Sequence, residues 1–165
     1  MNEHNLDIEY VLLDSINYVD PGAKQKVIIS GSHGGIYPAY KAAISGARAV
    51  ILNDAGIGLN NAGIACLDYC DRIGMAAAVI SHDTARIGDS GDMYQNGVLS
   101  GVNDFAKRAG CDIGMQCPTA VKALSDAPVP LGKVPSYKET RFLINEEFPQ
   151  IVCIDSASLV LKQDV

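Results

Sequence analysis

Three short stretches of the chain concentrate the side chains that can move protons or grip an anion. VIISGSHGGIYP sets Ser30, Ser32 and His33 among Gly31, Gly34 and Gly35; VILNDAGIGLNNAG carries Asn53, Asp54 and Gly56. AVISHDTARIGDSGD presents Ser81, His82, Asp83, Thr84, Arg86, Asp89 and Asp92 within a dozen residues. Histidine gives or takes a proton near neutrality, which makes His33 and His82 the acid–base candidates. Asp54 can serve as a base, orient a histidine or bind hydroxyls, and Asn53 can read an amide or carboxylate edge. Arg86 suits a substrate carboxylate, because its planar fork holds both oxygens at once. The glycines of the first stretch let a ligand approach the backbone and expose N–H groups where the next helix begins, a favourable place for an anion.

Each group also has a purely structural reading. His33 can be a solvated residue of a tight strand-to-helix turn, and Asn53 and Asp54 can bond their own backbone as Asx turns. Arg86 and Asp89 can form an internal ion pair that fixes the shape of their loop. Adjacent residues on a strand point opposite ways, so Asp83 is not expected to orient His82. Asn60 and Asn61 read as caps of the helix that follows, while Tyr94, Ser100 and Asn103 lie further on, where they can close a pocket.

Several chemistries lack their signature. No Gly-Lys-Ser/Thr follows the glycines and the GxGxxG order is absent, so no nucleotide cofactor is implied. His33, His82 and Asp54 do not have the spacing of a standard metal motif, and no metal is expected. The five cysteines, Cys66, Cys70, Cys111, Cys117 and Cys153, form an odd set without a CxxC pair, consistent with reduced thiols. Cys66 and Cys70 fall four apart on one apolar helical face, which fits core packing better than a redox or metal role.

The elements that must position these loops announce themselves by glycine. In AISGARAVIL, CDRIGMAAAVI and AKRAGCDIGM a helix-like stretch ends at Gly46, Gly74 or Gly110, and an apolar strand follows at once. Strands are predicted at Ile8–Leu13, Lys26–Ser30, Ala49–Leu52, Ala76–Ile80, Asp112–Met115 and Ile151–Ile154. Most are unbroken apolar runs, as expected of strands covered on both faces in a parallel sheet. Helices are predicted at Pro38–Ser45, Ala62–Ile73, Val98–Ala109, Thr119–Ser125 and near Lys138–Glu147. The alternation implies β-α-β crossovers and an α/β fold, a doubly wound three-layer α/β/α domain with a mostly parallel sheet. Loops at the carboxyl ends of neighbouring parallel strands converge on one crevice, so the three polar stretches should share a site.

With 165 residues and 48% hydrophobic content the chain can bury a core of its own, and 1–165 reads as a single domain with an irregular proline-rich segment at 126–136. A net charge of −6 without clustered Lys and Arg argues against nucleic acid. The apolar runs are too short to span a bilayer and the N-terminus lacks the pattern of a signal peptide, so a cytoplasmic protein without a membrane partner is expected. Only 19% of residues are charged, which points to a homo-oligomer. One internal echo stands out: YVLLDSINYV (Tyr10–Val19) aligns without gaps to IVCIDSASLV (Ile151–Val160), each a strand followed by Asp-Ser.

The elements IISGSHGG and VILNDAG resemble two strand ends of the caspase-type cysteine peptidases, where one strand ends in a Ser/Gly-His-Gly element and the next in a polar residue, Ala and the nucleophilic Cys. Here the nucleophile position is Gly56, a departure that would abolish peptidase chemistry. The residues by themselves point to an enzyme acting on a small polar, carboxylate-bearing metabolite by histidine-assisted proton transfer, of hydrolase or lyase type. The alternative is a non-catalytic small-molecule-binding or oligomeric assembly module using the same loops.

Overall fold

A computed structural model describes residues 9–145, 151–156 and 159–164. The chain divides into two compact units, Met1–Val134 and Pro135–Val165, that adjoin inside the proline-rich stretch; the sequence pattern had no signal for a boundary there beyond its prolines. The first unit holds a five-stranded sheet in the order β1-β2-β3-β4-β5: β1 Tyr10–Leu13, β2 Val27–His33, β3 Ala49–Asn53, β4 Ala76–Ile80 and β5 Leu99–Val102. The first four strands are parallel and β5 runs antiparallel to β4. The α/β class and mostly parallel sheet expected from the sequence are present.

The unbroken apolar strands are explained by burial on both faces. Val27, Ile29, Ala49, Ile51, Ala76, Ala78 and Ile80 pack on one side with α3 (Ser90–Asn96), α4 (Asp104–Arg108) and α5 (Cys117–Leu124). Their alternates Ile28, Val50, Leu52, Ala77 and Val79 pack on the other with α1 (Ile36–Ile44) and α2 (Cys66–Ile73). Two crossovers of one hand place α1 and α2 on the same face. The strand order never reverses; the helices of the opposite face come from the chain after β4, where α3 precedes the edge strand β5 and α4 and α5 follow it. Gly46, Gly74 and Gly110 close α1, α2 and α4 with φ of 79°, 74° and 98°, the left-handed geometry read from the sequence.

Four predicted elements differ. Val98–Ala109 is not one helix but β5 followed by α4: Gly101 brings the β5 backbone so close to Val79 and Leu67 that a Cβ there would lie 3.0 and 3.1 Å from them, and Asn103 caps α4 through Ala106 N–H. Asp112–Met115 is a turn, with Gly114 left-handed at φ 87°. α3, which the sequence pattern does not suggest, starts where the Asp89 carboxylate accepts from Asp92 N–H. The stretch read as a helix near Lys138–Glu147 contains a strand, β6 (Arg141–Asn145), with residues 146 and 147 outside the described set; β6 pairs antiparallel with β7 (Ile151–Ile154) in the second unit. β7 therefore belongs to a two-stranded ribbon rather than to the parallel sheet.

The Asp-Ser echo has a structural counterpart. Asp14, after β1, accepts from both the N–H and the hydroxyl of Ser90 at 2.9 and 2.8 Å. Asp155, after β7, accepts from both groups of Thr140 at 2.7 Å each. In each case these bonds hold the carboxyl below its ordinary range, although desolvation opposes them. Among the described residues no helix is long and apolar enough to cross a membrane.

Glycines let backbones touch at the sheet's carboxyl edge. A Cβ on Gly63 would lie 2.1 Å from the Asp54 carbonyl oxygen, and one on Gly34 would lie 2.4 Å from the Gly63 oxygen. Neither neighbour is a side chain that can swing away. Gly63→Ala should destabilise the protein by at least about 3 kcal/mol in denaturant titration. Gly110→Ala, which meets nothing within 4 Å, should cost only about 1 kcal/mol for its left-handed φ; equal losses would contradict the close-approach account.

Candidate functional site

Parallel strands send the ends of β2, β3 and β4 to one edge, and β5, running the other way, begins there. His33 is the register partner of Asn53, and Ile80 that of Leu99. His33, Asn53–Asp54, Ser81–His82 and Ser100 therefore come from four adjacent strands. The shared edge expected of the three polar loops is what the topology builds.

At its centre lies Asp54, 2% exposed. Its Oδ1 accepts from Gly56 N–H at 2.9 Å and His82 N–H at 3.0 Å, and lies 2.8 Å from His82 Nδ1. Its Oδ2 accepts the Ser100 hydroxyl at 2.8 Å. Burial raises the pKa of such a carboxyl, but the donors from Gly56, Ser100 and His82 together outweigh it and the group sits below its ordinary value of 3.8. An ionised Asp54 accepts from Nδ1–H, which leaves Nε2 of the neutral ring as the basic nitrogen. The His82 side chain is 49% exposed, and its Nε2 lies 3.4 Å from an oxygen of the exposed Asp83. Asp83 thus reaches His82 after all: residues 82–84 form a turn, to which strand alternation does not apply.

The backbone beneath the ring is left-handed over most of a seven-residue run. Ala55, Gly56, Ile57, Gly58, Asn60 and Asn61 have φ between 50° and 73°. A β-branched residue such as Ile57 is costly there, about 1–2 kcal/mol. The run is held by Asn53 and Asp54: Asn53 Oδ1 accepts from Ala55 N–H, Asp54 Oδ1 from Gly56 N–H and the Asp54 carbonyl from Ile57 N–H. The Asx-turn reading and the histidine-orienting reading of Asp54 are both realised, by one carboxylate. Asn60 and Asn61 are not caps; they lie inside a 3-10 segment, Leu59–Ile64, and α2 begins at Cys66. Gly56 lies against the imidazole, since a Cβ there would meet Nε2, Cε1 and Cδ2 of His82 at 3.7–3.9 Å.

The remaining candidates have other partners. His33 is exposed and its Nδ1 accepts from Gly35 N–H at 3.1 Å, at the N-cap of α1. Ser30 is fully buried and accepts from Ser32 N–H, while Ser32 accepts from Ile16 N–H. Asn53 is also fully buried and donates to the Ala85 carbonyl. Ser81 accepts from Asp83 N–H. Gly34 faces protein backbone, as noted above. Arg86 lies beside its own loop: Nη2 is 3.3 Å from Asp89 Oδ2 and Nε 3.2 Å from Asp92 Oδ2, while its N–H donates to Asp92. The edge of the guanidinium that grips a carboxylate is thereby engaged by the first turn of α3.

Of the residues further along, Tyr94 stacks on Tyr10 at 4.9 Å, and Asn103 bonds Met75 and Ala77 at the start of β4, the opposite edge of the sheet. Ser100 alone reaches the site. A reading of its segment as helix hides this, and the signal that points to it is the VLSGV run ahead of the capping pair Asn103-Asp104. Cys66 and Cys70 lie on the buried face of α2; burial pushes the Cys66 thiol up to about 12 and that of Cys70 well above its usual range, which favours the protonated thiol at both. Among the described residues no group of three His, Cys, Asp or Glu side chains is placed to hold a metal ion.

The chain matches no protein-family model, no curated protein and no solved structure.

Asp54 titrates lower in the folded protein than its ordinary value of 3.8. Its contribution to stability is therefore complete above that value and is lost as pH falls through the lower folded value. Asp54→Asn should flatten that part of the acid-unfolding profile, leaving the part due to Asp14, Asp92 and Asp155, which are also held low. At neutral pH the same variant should cost about 2–4 kcal/mol, because one of the two buried acceptor oxygens is replaced by an NH2 donor facing other donors. An acid profile parallel to that of the wild type would contradict the assignment.

Proposed function

We propose that the protein is an enzyme in which His82, oriented by Asp54, transfers a proton at the carboxyl edge of the sheet, in a reaction of hydrolase or lyase type on a small polar, carboxylate-bearing metabolite. The observation that supports it is the 2.8 Å contact between His82 Nδ1 and Asp54 Oδ1 on a ring whose side chain is half exposed. Nε2 takes a proton from the substrate, or from a water that attacks it, and Asp54 stabilises the imidazolium formed. The proton then returns from Nε2 to the leaving group or carbanion. His33, at the end of β2 on the far side of β3 from His82, is the candidate for the complementary acid. Ser30, Ser32, Asn53 and Ser81 shape the loops, while Gly34, Gly35 and Gly56 keep the backbone close to the site.

In this reading Arg86 is the anchor for the substrate carboxylate. Its pairing with Asp89 and Asp92 supports a second role, fixing the start of α3, and the two roles give different outcomes. If Arg86 holds substrate, Arg86→Ala raises KM with little change in thermal stability; if it only ties the loop, melting falls and KM is unmoved.

The decisive experiment is a thermal-shift screen of small carboxylates, amides and their neutral analogues, followed by turnover assays of the ligands found. His82→Gln should keep the fold and ligand binding but lose about 10²–10⁴-fold in kcat. Full activity in both His82→Gln and His33→Gln would overturn the histidine assignment, whereas binding of ligands without turnover of any would favour a non-catalytic binding module. A homo-oligomer belongs to the same proposal, supported by the exposed Phe142, Leu143, Ile144 and Ile151 of the C-terminal ribbon. Light scattering at micromolar concentration should find more than one copy per particle; a monomer would count against it.

A further inference from the structure

We infer that Ser100 is a positioning residue for His82: its hydroxyl holds Oδ2 of Asp54, which keeps Oδ1 aligned with imidazole Nδ1. This rests on the reading of His82 as the acid–base group. It concerns a residue on the antiparallel strand, outside all three polar loops.

The argument is one of donor distribution. A carboxylate offers about four acceptor positions, two on each oxygen. In Asp54 three donors crowd Oδ1, namely Gly56 N–H, His82 N–H and His82 Nδ1, while among the described residues Oδ2 accepts from the Ser100 hydroxyl. A hydroxyl has a single proton. The Ser100 oxygen is 2.8 Å from Asp54 Oδ2 and 3.5 Å from the Val79 carbonyl, so the proton goes to the carboxylate. Two of the three donors on Oδ1 are backbone N–H groups and cannot move without shifting the chain. If Ser100 is lost, Oδ2 is left buried and without this donor, and the carboxyl group gains by rotating to share its load between both oxygens. The donor free to be given up is the mobile imidazole. Ser100 therefore acts on His82 through Asp54 without touching substrate.

Why a strand of opposite direction supplies the group also follows from the fold. The parallel strands end at this edge and their last residues are already engaged in turning the chain. β5 begins there, with Leu99 and Gly101 in register with Ile80 and Val79 and Ser100 the extra residue of the bulge between them; a bulge re-aims a side chain, and that of Ser100 reaches Asp54. A side chain on a strand is placed more rigidly than one on a loop, as orienting a carboxylate requires.

The test uses full-length protein with ¹⁵N-labelled histidine. The chain has three histidines, and the spectrum of His82→Gln identifies the signals of His82. In the wild type neutral His82 should carry its proton on Nδ1, because Asp54 Oδ1 lies 2.8 Å from Nδ1 and the oxygen of the exposed Asp83 is further from Nε2, at 3.4 Å. Ser100→Ala should lower the share of that tautomer and speed exchange of the Nδ1 proton with solvent by roughly tenfold, the equivalent of one lost hydrogen bond. Ser100→Thr, which keeps the hydroxyl, should restore both. Ser100→Cys, of similar size but a weak donor, should behave as Ser100→Ala does and serves if the alanine variant does not fold. Wild-type tautomer and exchange in the variants lacking the hydroxyl overturn the inference. Asp54→Asn is the control: if it moves the His82 signals while the Ser100 variants do not, only the role of Ser100 fails. If Asp54→Asn leaves them in place, the Asp54–His82 pairing itself is wrong.

Discussion

A buried carboxylate must be given as many donors as water would have supplied, and at Asp54 those donors come from three parts of the chain. Gly56 belongs to the loop after β3, His82 to the turn after β4 and Ser100 to β5. Satisfying one ionised group therefore brings three strand ends together, and the cost of leaving it unpaired is what makes the arrangement specific. The same contacts fix the imidazole. Structure and proposed chemistry are not separable at this residue: the bonds that make burial of the charge tolerable also set the tautomer of His82.

The strained backbone beside it follows from that requirement. To bring Gly56 N–H onto the carboxylate that precedes it by two residues, the chain turns through successive left-handed residues, including Ala55 and Ile57, which disfavour that conformation. The strain is offset locally, since Asn53 and Asp54 accept from three consecutive N–H groups and Gly63 N–H bonds the Ile57 carbonyl. Glycines at 34 and 63 then allow the neighbouring segments to approach to backbone contact. The glycines around this edge work at least as much to bring chain against chain as to admit a ligand. Strain that persists only because its surroundings over-determine it is often found at functional sites.

The two units obey different rules. In the first, apolar strands are covered on both faces and their alternate residues feed two cores. In the second, a two-stranded ribbon exposes Phe142, Leu143, Ile144 and Ile151, and two strands by themselves bury too little to be stable in water. The shared Asp-Ser endings do not imply a shared architecture. Asp14 and Asp155 make the same paired contact with a backbone N–H and a hydroxyl, but one follows a parallel strand and the other an antiparallel one. A short motif specifies its local bonds, not the sheet to which its strand belongs.

What could be read from the residues alone was what depends on neighbours in sequence. Unbroken runs such as AAAVI and VILN require cover on both faces, glycine after a helix accepts a left-handed turn, and Asn53 and Asp54 bond N–H groups two residues on. These gave the class of fold, three helix ends and the edge where the polar loops gather. The positions that pattern misjudged are those governed by distant contacts. Val98–Ala109 satisfies helical propensity, yet Gly101 packs under Val79 and Leu67 and the segment becomes a strand; Ile151–Ile154 is apolar enough for a parallel sheet but pairs with β6. Within the site, sequence supplied the list of candidates and could not sort them, because spacing along the chain does not say which carboxylate a histidine will meet. Asp83 is adjacent to His82 in sequence, yet the nitrogen of the ring that sets its tautomer faces Asp54, twenty-eight residues away. Arg86 turned out to face its own helix start, and Ser100 joined the site from a strand that runs against the others. Those outcomes were decided by the tertiary structure, since only the registration of three strands brings the groups that must share one buried charge within reach of it.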